Sequence, residues 1–236
     1  MKTETRHALK QDKFAQAAQG GVSWVTEHQS GVLRWVIAAV VVLVLIVGGL
    51  IVWNVRSSAA ENALGAALDT YTAPLNTPGA PAQPGAYATA ADRAKAANQQ
   101  FLAVASNYSM LPEASKAHYF AGVTYQDMGQ TSSAESELKQ AAGAWNRNTA
   151  NLAKLALAEL YHQTGRDSQA IDLYNELIKK PSVTVSAAVA QLDLADLYVA
   201  QNKQDQARAL WAKIKDSDKD GMAGSIASQK LTGKQQ

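Results

Sequence analysis

The sequence has 236 residues, of which 47 % are apolar and 18 % charged, and its formal net charge is +2. This apolar content is not that of a disordered chain, and the near-neutral charge provides no basic surface for nucleic acid. The absence of cysteine excludes a disulfide framework, a thiolate zinc site and a cysteine nucleophile. The length allows one membrane segment and one medium-sized domain.

Residues 1–33 are expected to form a cytoplasmic N-terminal tail. Within this tail, residues 9–28 show a loose helical pattern that two glycines interrupt. The pattern is compatible with a helix on the membrane surface and equally with a solvated tail. The sequence leaves both interpretations open.

Residues 34–55 are predicted to form a single transmembrane helix. The run from Trp35 to Trp53 contains no charged residue. At roughly 1.5 Å per residue it spans about 28 Å, close to the thickness of the hydrocarbon core. A tryptophan at each end suits the headgroup region, and Arg34 and Arg56 stand just outside. The alternatives are a buried helix and a cleaved signal peptide; against the latter, the run is long and a long tail precedes it.

The distribution of basic residues predicts the orientation of this helix. The N-terminal flank carries Lys2, Arg6, Lys10, Lys13 and Arg34. The other flank has Arg56 and then no basic residue before Arg93. The positive-inside rule therefore places the N-terminus in the cytoplasm and the C-terminal domain outside it. In a Gram-negative bacterium this corresponds to a single-pass protein of the inner membrane with a periplasmic domain.

Residues 56–114 are predicted to form an irregular first hairpin. A helix over 61–73 is expected to pair across the insert at 72–89 with a helix over 90–107, in which Ala97 and Phe101 match the second-helix pattern of the repeats described below. The insert holds four of the six prolines and cannot sustain a helix. We therefore expect a flexible or extended loop there.

Residues 115–215 contain three segments that align without gaps. Each has a tyrosine, a glycine or asparagine four residues later, an alanine nine residues later and a bulky residue thirteen residues later. The tyrosines are Tyr125, Tyr161 and Tyr198, and the residues four places on are Gly129, Gly165 and Asn202. The alanines are Ala134, Ala170 and Ala207, and the bulky residues are Leu138, Tyr174 and Trp211. A small residue also stands three places before each tyrosine: Gly122, Ala158 and Ala195.

This spacing predicts three pairs of antiparallel helices. The small residue before each tyrosine allows the paired helices to approach closely, and the glycine or asparagine suits the left-handed conformation that ends the first helix. A capping box at 132–135 and N-caps at Asp167 and Asp205 are expected to begin the second helices. Residues 216–236 are expected to supply a capping helix and a tail, which cover the last apolar face.

The order of small residue, tyrosine, alanine and bulky residue resembles the tetratricopeptide repeat. The resemblance implies an all-α fold, in which a single N-terminal transmembrane helix precedes a solenoid of helical hairpins. It also implies a concave, protein-binding face on the first helix of each unit. The implied positions are Lys116, Tyr119, Val123, Gln126, Asp127, Leu152, Leu155, Glu159, His162, Gln163, Val189, Leu192, Asp196 and Val199.

This concave face mixes apolar and acidic side chains. It lacks a basic cluster for a terminal carboxylate and suits an apolar or extended polypeptide segment. The alternative is that some of its positions pack against the terminal helix of the same chain.

No constellation for catalysis, cofactor binding or metal binding is found, so we expect a chain that is not an enzyme. Residues 216–221 begin like a calcium-binding loop, but Ala227 stands where that loop needs a glutamate. The histidines have no metal-ligand spacing; they are His7, His28, His118 and His162. The carboxylate pairs are expected to be solvated surface charges; they are Glu135/Glu137 and Asp193/Asp196.

The layout of tail, anchor, irregular hairpin, three repeats and short cap is similar to that of the YfgM-type ancillary subunits of the bacterial Sec translocon. This resemblance implies protein partners, namely the Sec channel, a periplasmic chaperone and unfolded secreted proteins, besides the lipid bilayer around the anchor. A nucleic-acid partner is not expected, because the net charge is close to neutral. Two other classes stay open: a scaffold for envelope-assembly or division complexes, and a degenerate enzyme subunit or sensor with a ligand pocket.

Overall fold

The computed structural model describes residues 29–77, 79 and 83–233. These residues contain helices and no strand, which confirms the expected all-α class. The helices are α1 (Gln29–Thr72), α2 (Ala90–Asn107), α3 (Pro112–Asp127), α4 (Thr131–Ala142), α5 (Arg147–Gln163), α6 (Asp167–Lys179), α7 (Ala187–Ala200), α8 (Gln204–Ser217) and α9 (Met222–Thr232). The tail helix expected over 9–28 lies outside the described residues.

The chain divides into two compact units, residues 1–55 and 56–236. In the first unit, the described part is the apolar portion of α1. Its large apolar side chains are exposed, from 48 % at Val47 to 79 % at Trp35. The helix is long and apolar enough to cross a membrane by length and composition. Its exposed apolar surface is unlike that of a core helix of a soluble protein.

The second unit begins with the last turns of α1, which pack against α2. Leu64 and Ala67 of α1 join a buried cluster with Ala97 and Phe101 of α2. The Phe101 ring is fully buried and meets the Tyr71 ring edge-on, at 6.4 Å between centroids. Ala97 and Phe101 of α2 are therefore buried in one cluster with the last turns of α1.

The described part of the proline-rich insert is non-helical, as its composition predicts. Leu75 and Tyr87 form an isolated bridge that ties the two ends of the loop together. The Thr89 side chain accepts a hydrogen bond from Asp92 N–H at 3.0 Å and so caps α2. Arg93 Nη1 donates to the Ala73 carbonyl at 2.9 Å. The base of the loop is thus fixed to both helices that it connects.

The three repeat hairpins α3–α4, α5–α6 and α7–α8 turn by the same backbone arrangement. Gly129, Gly165 and Asn202 have positive φ values of 70°, 74° and 61°. The backbone N–H of the residue after this left-handed position donates a hydrogen bond to the carbonyl of the repeat tyrosine. The three bonds are Gln130 to Tyr125 at 2.8 Å, Arg166 to Tyr161 at 2.7 Å and Lys203 to Tyr198 at 2.8 Å. A second bond joins the left-handed residue to the carbonyl three positions earlier. This pair of bonds is the Schellman motif, so the expected left-handed helix ends are confirmed.

The N-caps predicted for the second helices are wrong. Helices α4, α6 and α8 have Gln130, Arg166 and Lys203 at the N-cap, without a side-chain capping bond. The residue that closes the Schellman motif also begins the next helix, so no separate position is left for a polar cap. Asp167 instead lies in the first turn of α6, where its negative charge interacts favourably with the positive end of the helix dipole.

A cationic side chain at the turn packs on the repeat tyrosine. The Arg166 guanidinium lies 4.3 Å from the centre of the Tyr161 ring, and Lys203 Nζ lies 5.8 Å from that of Tyr198. Arg166 also pairs with Glu135 of the preceding unit at 2.8 Å. Hydrogen bonds from Lys139 and then Arg166 lower the pKa of Glu135 to about 2. Glu135 therefore links two repeat units through an ion pair, and the expectation that it is a solvated surface charge is wrong.

Close helix packing follows from the small residues. A Cβ atom added at Gly122 would lie 2.5 Å from Leu138 Cγ, so only glycine fits this contact of α3 with α4. Ala158 and Ala195 are fully buried at the equivalent places. At the end of the stack, α9 packs on α8 and buries Ala227. The last apolar face is covered in this way.

We expect Gly165→Ala to lower the free energy of unfolding by roughly 1–2 kcal/mol, because a side chain is strained at φ 74°. Nothing crowds the site, so the loss would report backbone conformation alone. Gly143→Ala is the matched control, since its φ is −81° and an added Cβ makes only ordinary contacts. Urea titration of the full chain in detergent should show a loss for Gly165→Ala alone. Equal losses would contradict the assigned role of the turn.

Candidate protein-binding groove

The predicted groove residues on α3 make contacts with other residues of the same chain. Asp127 accepts a hydrogen bond from the Tyr71 hydroxyl at 2.9 Å, and Lys116 pairs with Glu113 at 3.9 Å. The Tyr119 ring meets Phe120 edge-on at 5.0 Å. Val123 and Gln126 are half-buried. This part of the face is therefore tied to the first hairpin through Asp127.

The positions on α5 line the surface between two units. Leu152 and Leu155 pack on the core from its edge. Glu159 accepts a hydrogen bond from Gln163 Nε2 at 3.2 Å. His162 Nδ1 lies 2.8 Å from Asp167 Oδ1. The α5 face thus presents apolar residues at one end and polar residues at the other.

The positions on α7 are partly covered by the terminal helix. Leu192 and Val199 belong to a cluster that also contains Ala223 and Leu231 of α9. Lys230 Nζ of α9 pairs with Asp196 at 2.9 Å. The alternative considered from the sequence, packing against the terminal helix, thus describes part of the third unit. Val189 remains exposed.

A pocket of about 290 Å³ opens between α5, α6 and α7. We call it the inter-unit pocket, and it is lined by Leu155, Glu159, His162, Tyr174, Asp193, Asp196 and Leu197. Four of these residues belong to the predicted face. Three were missed: Tyr174, Asp193 and Leu197. Tyr174 was recognised from the sequence only as the bulky residue of the second repeat. Asp193 lies three residues before Asp196 on the same helix face, and this spacing was the available signal.

The electrostatics of the inter-unit pocket are dominated by carboxylates. Asp193 is half-buried, and burial, followed by the charges of Asp196 and Glu159, raises its pKa to about 6. Burial also raises the pKa of the Tyr174 hydroxyl, and the same three carboxylates add to the effect. The expectation that Asp193 is solvated is therefore wrong, whereas Asp196 is 56 % exposed.

The remaining candidate sites have structural roles. His118 Nδ1 lies 2.6 Å from Glu137 Oε2, so Glu137 is also not a solvated charge. Asp218, in the calcium-like sequence, accepts a hydrogen bond from Gly224 N–H near the start of α9 at 3.1 Å. Among the described residues, no group of three or more histidine, aspartate and glutamate side chains is placed to hold a metal ion. His7 and His28 lie outside the described residues.

The stacked hairpins with close alanine contacts and left-handed turns define a class of protein-interaction modules built from repeated helical pairs. The sequence matches the tetratricopeptide repeat-like domain family over residues 32–213, and the chain belongs to that family. Domains of this family are typically non-catalytic scaffolds. Comparisons with curated proteins and with solved structures found no match.

We expect Asp193→Asn to stabilise the fold at neutral pH. A pKa raised from 3.8 to about 6 means that the folded chain holds this proton more tightly than the unfolded chain. Ionisation therefore costs stability as pH rises from about 4 to 6, and the cost persists above 6. Allowing for partial exposure, we expect a gain of about 1–2 kcal/mol at pH 7.5 and little change near pH 4.

The control for this prediction is Asp172→Asn, which removes the same charge from an exposed position of α6. It should change the unfolding free energy by less than about 0.5 kcal/mol. Urea titrations of both variants at several pH values make the comparison. A loss of stability in Asp193→Asn at pH 7.5 would contradict the assigned electrostatics.

Proposed function

We propose that this chain is a membrane-anchored protein-interaction subunit that works beside the Sec translocon and links it to a periplasmic chaperone and emerging secreted proteins. The observation that carries the proposal is the order of parts along one chain. An exposed apolar helix is followed directly by tetratricopeptide-like hairpins, and their groove keeps apolar and acidic side chains accessible. Such hairpin stacks bind polypeptide on their concave side.

The proposed assignment of the parts follows the sequence. Residues 1–33 form the cytoplasmic tail and residues 34–55 the anchor in the inner membrane, oriented by the basic residues of the tail. Residues 56–114 form the first hairpin, 115–215 the binding repeats and 216–236 the cap. The chain acts by binding and not by catalysis, and it needs no cofactor.

The proposal predicts that the full chain, tagged at its C-terminus and purified in mild detergent, recovers the Sec channel and a periplasmic chaperone. Mass spectrometry of the purified material provides the measurement. Val189→Glu should reduce the recovery several-fold, because it places a charge on the exposed apolar part of the groove. Val183→Glu is the matched control, since Val183 is 95 % exposed in the loop before α7 and outside the predicted face.

Recovery of envelope-assembly or division proteins in place of Sec components would overturn the translocon role. The chain would then be a scaffold of the second kind considered from the sequence.

The proposed orientation can be tested because the chain has no cysteine. Thr3→Cys marks the tail, and Gln169→Cys marks an exposed position of α6. A membrane-impermeant maleimide should label Gln169→Cys in intact spheroplasts and Thr3→Cys only after lysis. The reverse pattern of labelling would show that the repeats face the cytoplasm.

A further inference from the structure

Two polar groups line the inter-unit pocket and have no side-chain hydrogen-bond partner among the described residues, namely the Tyr174 hydroxyl and the Asp193 carboxylate. The Tyr174 ring is only 4 % exposed and lines the pocket. Within the described residues, neither its hydroxyl nor the Asp193 carboxylate makes a side-chain hydrogen bond. Because both residues line the open pocket, their oxygen atoms are available to form hydrogen bonds with an occupant.

The surroundings of these two groups specify the charge of an occupant. Glu159 and Asp196 add two carboxylates, so the pocket is acidic. Its basic neighbours are already engaged: His162 with Asp167 at 2.8 Å, and Lys230 with Asp196 at 2.9 Å. No counter-ion is therefore left for Asp193 within the described part of the chain.

The shape of the pocket favours an organic cation with an apolar stem. Leu155 and Leu197 supply an apolar wall beside the carboxylates, in a volume of about 290 Å³. The carboxylates are not grouped closely enough to hold a metal ion among the described residues. At the rim of the pocket, Lys230 Nζ forms an ion pair with Asp196 and lies 5.9 Å from the centre of the Trp211 ring. An alkylammonium group of this chain thus occupies the edge of the same acidic surface.

We propose that the inter-unit pocket receives a lysine or arginine side chain of a bound polypeptide. The aliphatic stem lies on the two leucines, and the cationic head donates hydrogen bonds to the carboxylates and to the Tyr174 hydroxyl oxygen, while the carboxylates balance its charge. This proposal rests on the proposed function, because it names the chemistry of the polypeptide that the groove binds. From the sequence, the concave face is expected to bind apolar or extended polypeptide segments. The proposal adds that the bound segment carries a basic residue.

The test uses the full chain in mild detergent and a pair of fluorescein-labelled, end-capped nonapeptides. Each peptide consists of alternating alanine and leucine around one central residue, which is arginine in one peptide and the uncharged isostere citrulline in the other. Fluorescence anisotropy at pH 7.5 and low salt gives both affinities. We expect the arginine peptide to bind roughly tenfold more tightly, and a lysine peptide to exceed its norleucine counterpart in the same direction.

Asp193→Asn should reduce the affinity for the arginine peptide to that for the citrulline peptide and leave the latter unchanged. Tyr174→Phe removes the hydroxyl and keeps the ring in the core, so it should lower the affinity for the arginine peptide several-fold. Asp172→Asn, with the same change of charge on the exposed side of α6, should alter neither affinity. If Asp193→Asn binds the arginine peptide more weakly but folds more stably, the loss of binding cannot be caused by a damaged fold. Asp193 would then act in binding.

Equal affinities of the arginine and citrulline peptides would overturn the proposal, and so would a lack of binding by both. A loss in Asp193→Asn that is equal for the two peptides would overturn it as well. None of these outcomes affects recovery of Sec components by the tagged chain, which tests the proposed function separately.

Discussion

The repeat region depends on one backbone constraint, the reversal of the chain within three residues between paired helices. The reversal requires a left-handed residue, and it fixes the carbonyl of the repeat tyrosine as the acceptor of the closing hydrogen bond. Because that bond sets where the second helix begins, it also sets which alanine meets the first helix. The buried contacts of Ala134, Ala170 and Ala207 follow from this register.

The features that were predictable from the sequence are those decided within one hairpin. Gly129, Gly165 and Asn202 were recognisable because left-handed backbone strongly restricts the residue type. The N-caps were not, since the same local pattern is compatible with a longer turn. Only the closing hydrogen bond shows that Arg166 ends one helix and begins the next.

The charges were misjudged for a different reason. Whether Glu135 is solvated depends on Arg166, which belongs to the turn of the next unit. Asp193 is half-buried and shares the inter-unit pocket with Tyr174 of the preceding unit. Helical periodicity assigns a face to each residue but carries no information on what the neighbouring unit places there. The pocket is consequently a property of stacking, and the sequence supplied four of its seven lining residues.

Among the described residues of the second unit, the main contacts of each helix are with the next helix or the next but one. This arrangement gives a low relative contact order, so little loop-closure entropy must be overcome before native contacts form. Each hairpin can therefore dock on the hairpin before it as synthesis proceeds, starting from the part of the domain that follows the apolar portion of α1. A chain of this kind can complete its stack of hairpins unit by unit, without waiting for its C-terminus.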